Sequence, residues 1–487
     1  MNFIFYDTET TGTQTAFDQI LQFAAICTDE NFNEIERLEV RSRLLPHIVP
    51  APGAVRVNGV SVAKLLDQNL PSHYGMVRLI ESKLRSWSPA VFIGYNSIRF
   101  DENILRQALY QTLHQPYVTN TGGSCRTDAL TMVRAASLFV PNSIAVPLNI
   151  ETGAQVFKLD QLAPLNGFEH HNAHDALGVE ATIHMCRLVK ERAPEIWACC
   201  MRFSRKSAVH AYLTQEPIIC LAEFYGGKPY TWLVTYLGSN SENGSELCMF
   251  DLSLDPAALN ALNDEDLHAE LHKSPKSLRW VRTNSCPILM PANKAPSTTK
   301  GVELDPSLLS ARVIYLREHR ALREKLIRAA IEDRPEYGQS TYVEQQIYNA
   351  FFSNEDQELM RQFHESPWEA RFPIIAQFQD PRLRTIGARL IYFEKPEVLS
   401  EEERRIFEQE FASRLLSEDE QDWLTLHKAI EETDAMLLDI EDTSKTFLSE
   451  YRAFLTDRLN GAKKFDDRAT ARCNNMYVRR YIVRMRC

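Results

Sequence analysis

At 487 residues, the chain is too long for one ordinary core, so two or three domains are expected. With 44% apolar and 24% charged residues it has the balance of a water-soluble globular protein, and no apolar run reaches the ~18 residues of a membrane span. A net charge of −11 excludes a generally sticky nucleic-acid binder, leaving room only for locally concentrated positive charge.

In chain order, residues 2–6, 19–27 and 91–96 are short apolar stretches that predict strands. Residues 74–87 and 102–113 between and after them predict helices, and from Asp175 the positions Leu177, Ala181, Met185 and Leu188 repeat at helical spacing. This alternation predicts an α/β domain over residues 1–195. Residues 217–237 are rich in aromatic and β-branched side chains broken by Gly-Gly and Pro, and 247–252 form another strand candidate. They predict a β-rich domain over 196–342, closed by one long basic amphipathic helix at 312–331. From Thr341 onward helical patterns dominate, predicting a helical domain over 343–487. Its acidic part, 400–459, reads as two long helices, and residues 462–487 form a basic tail. The start MNFIFYDTETTG lacks a basic n-region, so a secretory signal is not expected. The ten cysteines contain no CxxC pair, which predicts reduced thiols in a cytoplasmic protein and no zinc site.

Three segments carry candidate chemistry. In Asp7-Thr8-Glu9-Thr10-Thr11-Gly12, at a strand end, the two carboxylates share a face because side chains alternate along a strand. A solvated acidic turn is the plain alternative. In Gly94-Tyr95-Asn96-Ser97-Ile98-Arg99-Phe100-Asp101 a strand runs into a turn, and Asp101 opens the next helix, where it could equally be a cap. In His170-His171-Asn172-Ala173-His174-Asp175 three histidines and an aspartate precede a helix. Together these segments supply four carboxylates and a histidine. Oxygen-rich carboxylate sites suit Mg²⁺ or Mn²⁺. Two such ions stabilise the attacking and leaving oxygens of a phosphoryl transfer, and a histidine can take the proton from water.

The DxETTG, GYNxxxFD and HxxxxD motifs, in this order, resemble those of the DEDDh exonucleases. The resemblance implies that Asp7, Glu9, Asp101 and Asp175 hold two Mg²⁺ ions, with Mn²⁺ able to substitute, and that His170 is the general base. In the related tyrosine branch the base lies four residues before the aspartate, here His171, which is not tyrosine. His174, beside Asp175, is expected to orient the helix start. Over most of its length the chain also resembles the bacterial exodeoxyribonuclease I family. The stretches that carry this are Phe157-Lys158-Leu159, NSCPILMPAN at 284–293 and VEQQIYNAFFSNED at 343–356. The family implies an RNase H-like nuclease domain, an SH3-like β domain and a helical domain that together clamp single-stranded DNA. It further implies 3′→5′ hydrolysis to 5′-mononucleotides in DNA repair and recombination, in a monomer of the bacterial cytoplasm. The tail 462–487 falls outside the resemblance.

Candidate DNA contacts are Thr10, Asn96 and Arg134 in the first domain and Tyr225, Lys228 and Trp232 in the second, where aromatic platforms and cations alternate. Packing of the β-domain core is the alternative for each aromatic. The family is also stimulated by the acidic, hydrophobic C-terminal tail of single-stranded DNA-binding protein. Arg312, Arg317, Arg320 and Arg323, interleaved with Val313, Leu316 and Leu322 on the expected helix, are candidates to receive it, with the basic tail as a rival. Two competing functions share these features. An RNA-trimming member of the superfamily would keep all five catalytic positions, although such chains are shorter. A non-catalytic binding subunit should have lost a metal ligand.

Overall fold

The computed structural model describes all residues except 170–176, 275, 333–337, 339, 440–441 and 473–487. Five strands form the first sheet: β1 (Asn2–Thr10), β2 (Ile20–Thr28), β3 (Glu34–Arg41), β4 (Ala90–Gly94) and β5 (Cys125–Asp128). Their spatial order is β3-β2-β1-β4-β5. β1 pairs antiparallel with β2 and parallel with β4, so the sheet is mixed. Alternation along the strands splits the core into two layers. Phe3, Phe5, Ala24, Ile26, Val91 and Ile93 point to one face, under helices Ala129–Phe139 and Leu177–Arg192. Ile4, Tyr6, Phe23, Ala25 and Phe92 point to the other, under helices His73–Trp87 and Asp101–Tyr110. Two covered faces explain why β2 is apolar along nearly its whole length.

The second sheet is antiparallel throughout, with order β10-β6-β7-β8-β9. It comprises β6 (Ile219–Tyr225), β7 (Lys228–Ser239), β8 (Glu246–Asp251), β9 (Leu278–Arg282) and β10 (Ile288–Pro291). Gly226 and Gly227 connect β6 to β7 with φ of 54° and 77°. Such a two-residue hairpin turn needs positive φ. Gly227 has a second reason to lack a side chain, because a Cβ there would fall 2.1 Å from the Gln155 carbonyl oxygen of the first domain.

Two expectations are corrected. The single helix over 312–331 is two helices, Pro306–Glu318 and Arg320–Glu332, separated at His319, whose ψ of 69° is not helical. Its ring instead stacks on Tyr315, with centroids 3.8 Å apart. The acidic segment forms three helices rather than two: Glu401–Leu416, Leu426–Leu438 and Asp442–Arg472.

The helical part closes onto the first domain at two places. Tyr74, Tyr110 and Leu113 share a core with Val343, Phe363 and Leu383. Leu21, Leu44, Val55 and Leu65 share another with Leu426, Tyr451 and Leu455. In the second, the Tyr451 hydroxyl donates to the Pro50 carbonyl and the Arg458 guanidinium to that of Ile48, at 2.8 Å for the latter. No helix among the described residues is long and apolar enough to cross a membrane.

Candidate active site

β1 runs beyond its parallel neighbour. Its pairing with β4 covers only Asn2 to Phe5, so Asp7 and Glu9 project past the carboxyl end of β4, on the same face. The carboxyl ends of parallel strands are where α/β sheets place ligands. Asp101 arrives there as the first residue of its helix, one position past Phe100, which holds the N-cap place. The Asp101 Oδ1 accepts from the Thr8 backbone N–H at 3.1 Å and from the Thr8 hydroxyl at 2.6 Å. Asp101 is thus aimed at β1 rather than at its own helix.

This brings two acids together in a buried place. Burial pushes the Asp101 carboxyl well above the ordinary range, and the charge of Asp7 raises it further. Burial likewise raises Asp7, against a smaller opposing pull from the Thr8 backbone N–H. Two facing carboxylates held out of water favour a cation between them or protonation of one. Helix Leu177–Arg192 begins against this pair, because a Cβ on Gly178 would fall 2.3 Å from Asp7 Oδ2. His170, His171, His174 and Asp175 lie outside the described residues. The described residues alone contain no group of three His, Cys, Asp or Glu able to hold a metal ion. What they provide toward one is the Asp7–Asp101 pair, whose hard oxygen donors suit a divalent cation.

A fifth acid emerges only from the structure. Asp128, at the end of β5, is 4% exposed and accepts the N–H groups of Asn96 at 2.9 Å, Ile98 at 3.1 Å and Leu130 at 2.9 Å. It caps helix Ala129–Phe139 and holds the turn that delivers Asp101. Its position directly before an apolar helical run was the available signal.

A groove of about 1400 Å³ separates the two sheet domains. Asn96, Arg99 and Arg134 line one wall, and Tyr225, Trp280 and Arg282 the other. Asn96 is exposed with a left-handed φ of 61°. The Arg134 guanidinium lies 5.4 Å from each of the Phe157 and Phe224 ring centres. Its Nε is buried and makes no hydrogen bond among the described residues. Tyr225 is exposed and its hydroxyl binds Glu223, and Lys228 is exposed beside it. The Thr10 hydroxyl is buried and donates to the Gly12 carbonyl at 2.7 Å, so this side chain shapes the loop after Glu9.

Trp232 is not a stacking platform. It is 5% exposed and packs with Val234, Met249 and Leu289 in the β-domain core, beneath the Arg279 guanidinium 3.3 Å from its ring centre. It lies in the buried run of β7 that starts at Thr231, where burial of its large apolar surface outweighs any gain from exposure. The arginine stripe is also corrected. Val313, Leu316 and Leu322 are core residues, so they form no apolar floor at the surface. The Arg312 Nη1 donates to the Leu252 carbonyl at 2.6 Å, and Arg320 pairs with Glu324 at 2.7 Å. Arg317 is exposed, whereas Arg323 is half-buried.

Comparison with known proteins covers nearly the whole chain. Residues 4–178 match an exonuclease family model, 204–329 that of the exonuclease I SH3-like domain and 341–458 that of the exonuclease I C-terminal domain. Exodeoxyribonuclease I of Escherichia coli (strain K12) is 31% identical over 377 residues, 74% of this chain and 78% of that protein. E. coli exonuclease I in complex with a dA16 oligonucleotide superposes with a TM-score of 0.79 at 25% identity, covering 95% of this chain and 99% of the other. A zinc-bound form of the E. coli enzyme with single-stranded DNA gives 0.80 at 26% identity, covering 94% and 99%.

Proposed function

The chain belongs to the exodeoxyribonuclease I family, and from that premise we propose that it hydrolyses single-stranded DNA from the 3′ end, releasing 5′-mononucleotides. The observation that carries this reading is the Asp7–Asp101 pair, both carboxyls raised by burial and Asp101 further by the charge of Asp7, beside a groove shared by two domains.

In this reading Asp7, Glu9, Asp101 and Asp175 hold two Mg²⁺ ions, with Mn²⁺ a substitute. When bound, the ions supply Lewis acidity for the attacking and leaving oxygens. The remaining work belongs to the chain. The Thr8 N–H and hydroxyl fix Asp101, and Asp128 fixes the turn before it. Arg134 receives a phosphate of the strand, and Tyr225 takes a base face. The His170 imidazole accepts the proton of the attacking water. The bond from phosphorus to the 3′ oxygen of the penultimate nucleotide breaks. The shortened strand keeps a 3′-hydroxyl, and the released nucleotide keeps its 5′-phosphate. Such trimming of single strands fits a role in DNA repair and recombination.

The acidic tail of single-stranded DNA-binding protein remains a proposed partner. Its support here is charge at Arg317 and Arg320, without the apolar floor. The deciding experiment uses 5′-labelled oligonucleotides of DNA and RNA, each with Mg²⁺ and with EDTA. A metal-dependent ladder from the 3′ end on single-stranded DNA is expected, and none on matched RNA. No cleavage with Mg²⁺ or Mn²⁺ would point to a binding subunit. Equal cleavage of RNA would point to RNA trimming.

A further inference from the structure

The residues next to two candidate metal ligands are bonded to each other. Tyr6 precedes Asp7, Glu102 follows Asp101, and the Tyr6 hydroxyl donates to Glu102 Oε2 at 3.1 Å. Glu102 is 1% exposed. Its Oε1 accepts from the Thr119 hydroxyl at 2.6 Å and from Arg126 Nη1 at 2.5 Å, and it forms an ion pair with Arg106 Nη2 at 2.9 Å. A lone buried carboxylate would be costly, and two guanidinium groups keep this one ionised and in place. Glu102 therefore ties the segment bearing Asp7 to the segment bearing Asp101.

Arg126 reaches beyond this cluster. It lies on β5 and is 6% exposed. Its Nη2 donates to the Asn284 carbonyl at 3.2 Å, and its own carbonyl accepts from the Cys286 thiol at 3.2 Å. The segment it touches connects β9 to β10 in the other domain, and Ser285, Cys286 and Pro287 line the groove. Cys286 holds a left-handed φ of 51°, so this loop has a defined shape. One side chain thus touches both a groove-lining loop and the carboxylate that joins the two acids.

We propose that Arg126 is a positioning residue, linking the Asn284–Cys286 loop to Asp7 and Asp101 through Glu102, so that a strand in the groove tightens the placement of the two acids. The inference rests on the reading that Asp7 and Asp101 hold metal. A purely structural ion pair would instead lower stability and leave turnover per folded molecule unchanged.

Arg126→Lys separates the two roles, because an ammonium keeps charge near Glu102 but lacks the fork that also reaches Asn284. Cys286→Ala loosens the loop and leaves every Glu102 contact in place. On the full chain, three quantities are measured below the melting transition: kcat and KM on a single-stranded 20-mer, Mn²⁺ affinity without DNA by electron paramagnetic resonance, and thermal stability. Arg126→Lys should lower kcat and Mn²⁺ affinity by ~10–100-fold, the usual effect of removing support behind a metal ligand, with KM nearly constant. Cys286→Ala should lower kcat and leave Mn²⁺ affinity without DNA unchanged. Wild-type kcat and Mn²⁺ affinity in Arg126→Lys would overturn the proposal. Should Arg126→Lys fail to fold, wild-type kcat in Cys286→Ala would overturn it. A wild-type protein without metal-dependent hydrolysis would instead remove the premise.

Discussion

Asp101→Asn should make the metal-free protein more stable while abolishing its activity. The Asp101 Oδ1 accepts two hydrogen bonds from Thr8, and an amide oxygen can accept both. The new amide N–H₂ replaces a carboxylate that faces Asp7, turning a repulsion into a hydrogen bond. The folded pKa of Asp101 is raised by burial and by Asp7. The sign with pH follows from that direction. Below about pH 4 the carboxyl is protonated in both folded and unfolded chains and contributes nothing. As pH rises, the unfolded chain loses the proton first, so stability falls until the folded carboxyl also ionises. Each tenfold difference in proton affinity is worth about 1.4 kcal/mol. A gain in stability for Asp101→Asn is therefore expected near pH 8 in EDTA, vanishing toward pH 4. Each kcal/mol gained raises Tm by about 2–4 °C in a domain of this size. Activity with Mg²⁺ should fall below about a hundredth of wild type, a loss of more than ~2.7 kcal/mol of transition-state stabilisation. Melting curves across pH and a nuclease assay test both halves. A variant less stable than wild type at pH 8 would refute the electrostatic argument, and residual activity above a hundredth would refute the metal-ligand role.

His170→Ala should lose ~10²–10⁴-fold in kcat, with much smaller losses for His171→Ala and His174→Ala. A more damaged His171→Ala would move the base by one residue. Trp232→Ala should cost ~3–5 kcal/mol of stability in denaturant melts, as deletion of a buried aromatic does. Tyr225→Ala should leave stability unchanged and weaken single-stranded DNA binding by ~1–3 kcal/mol. The reverse pattern in the two would return Trp232 to the DNA surface. A labelled peptide of the acidic tail should bind more weakly as salt rises and in Arg317→Ala, with no change in Arg312→Ala, whose guanidinium serves Leu252. Loss only on deleting residues 462–487 would place the contact in the tail.

The features legible in the sequence were those in which a local pattern and its global use coincide. The apolar runs of β1 and β4 are buried on both faces, and each ends in a motif whose acid reaches the same place. β3 was missed because it is an edge strand. Glu34, Glu36 and Arg37 face solvent, and only Leu38 and Val40 pack inward. β5 was missed because it has four residues, two of them charged and buried. No periodicity could report that Arg126 and Asp128 serve partners far along the chain. The same limit misplaced Trp232 and the arginine stripe. A helical or aromatic pattern tells which residues lie together, but whether that face meets water depends on the neighbours. The break at His319 has no proline or glycine to announce it.

The shared core of Leu21, Leu44 and Val55 with Leu426, Tyr451 and Leu455 also sets an order of events during synthesis. Pro50 must wait for Tyr451, a separation of 401 residues. At roughly 5–20 residues per second, the amino-terminal half of this core is exposed for roughly 20–80 s before its cover is made. Chains that stop short near residue 420 would carry that apolar surface permanently. They should be found with chaperones or in aggregates, even though every strand of the nuclease sheet is present in them.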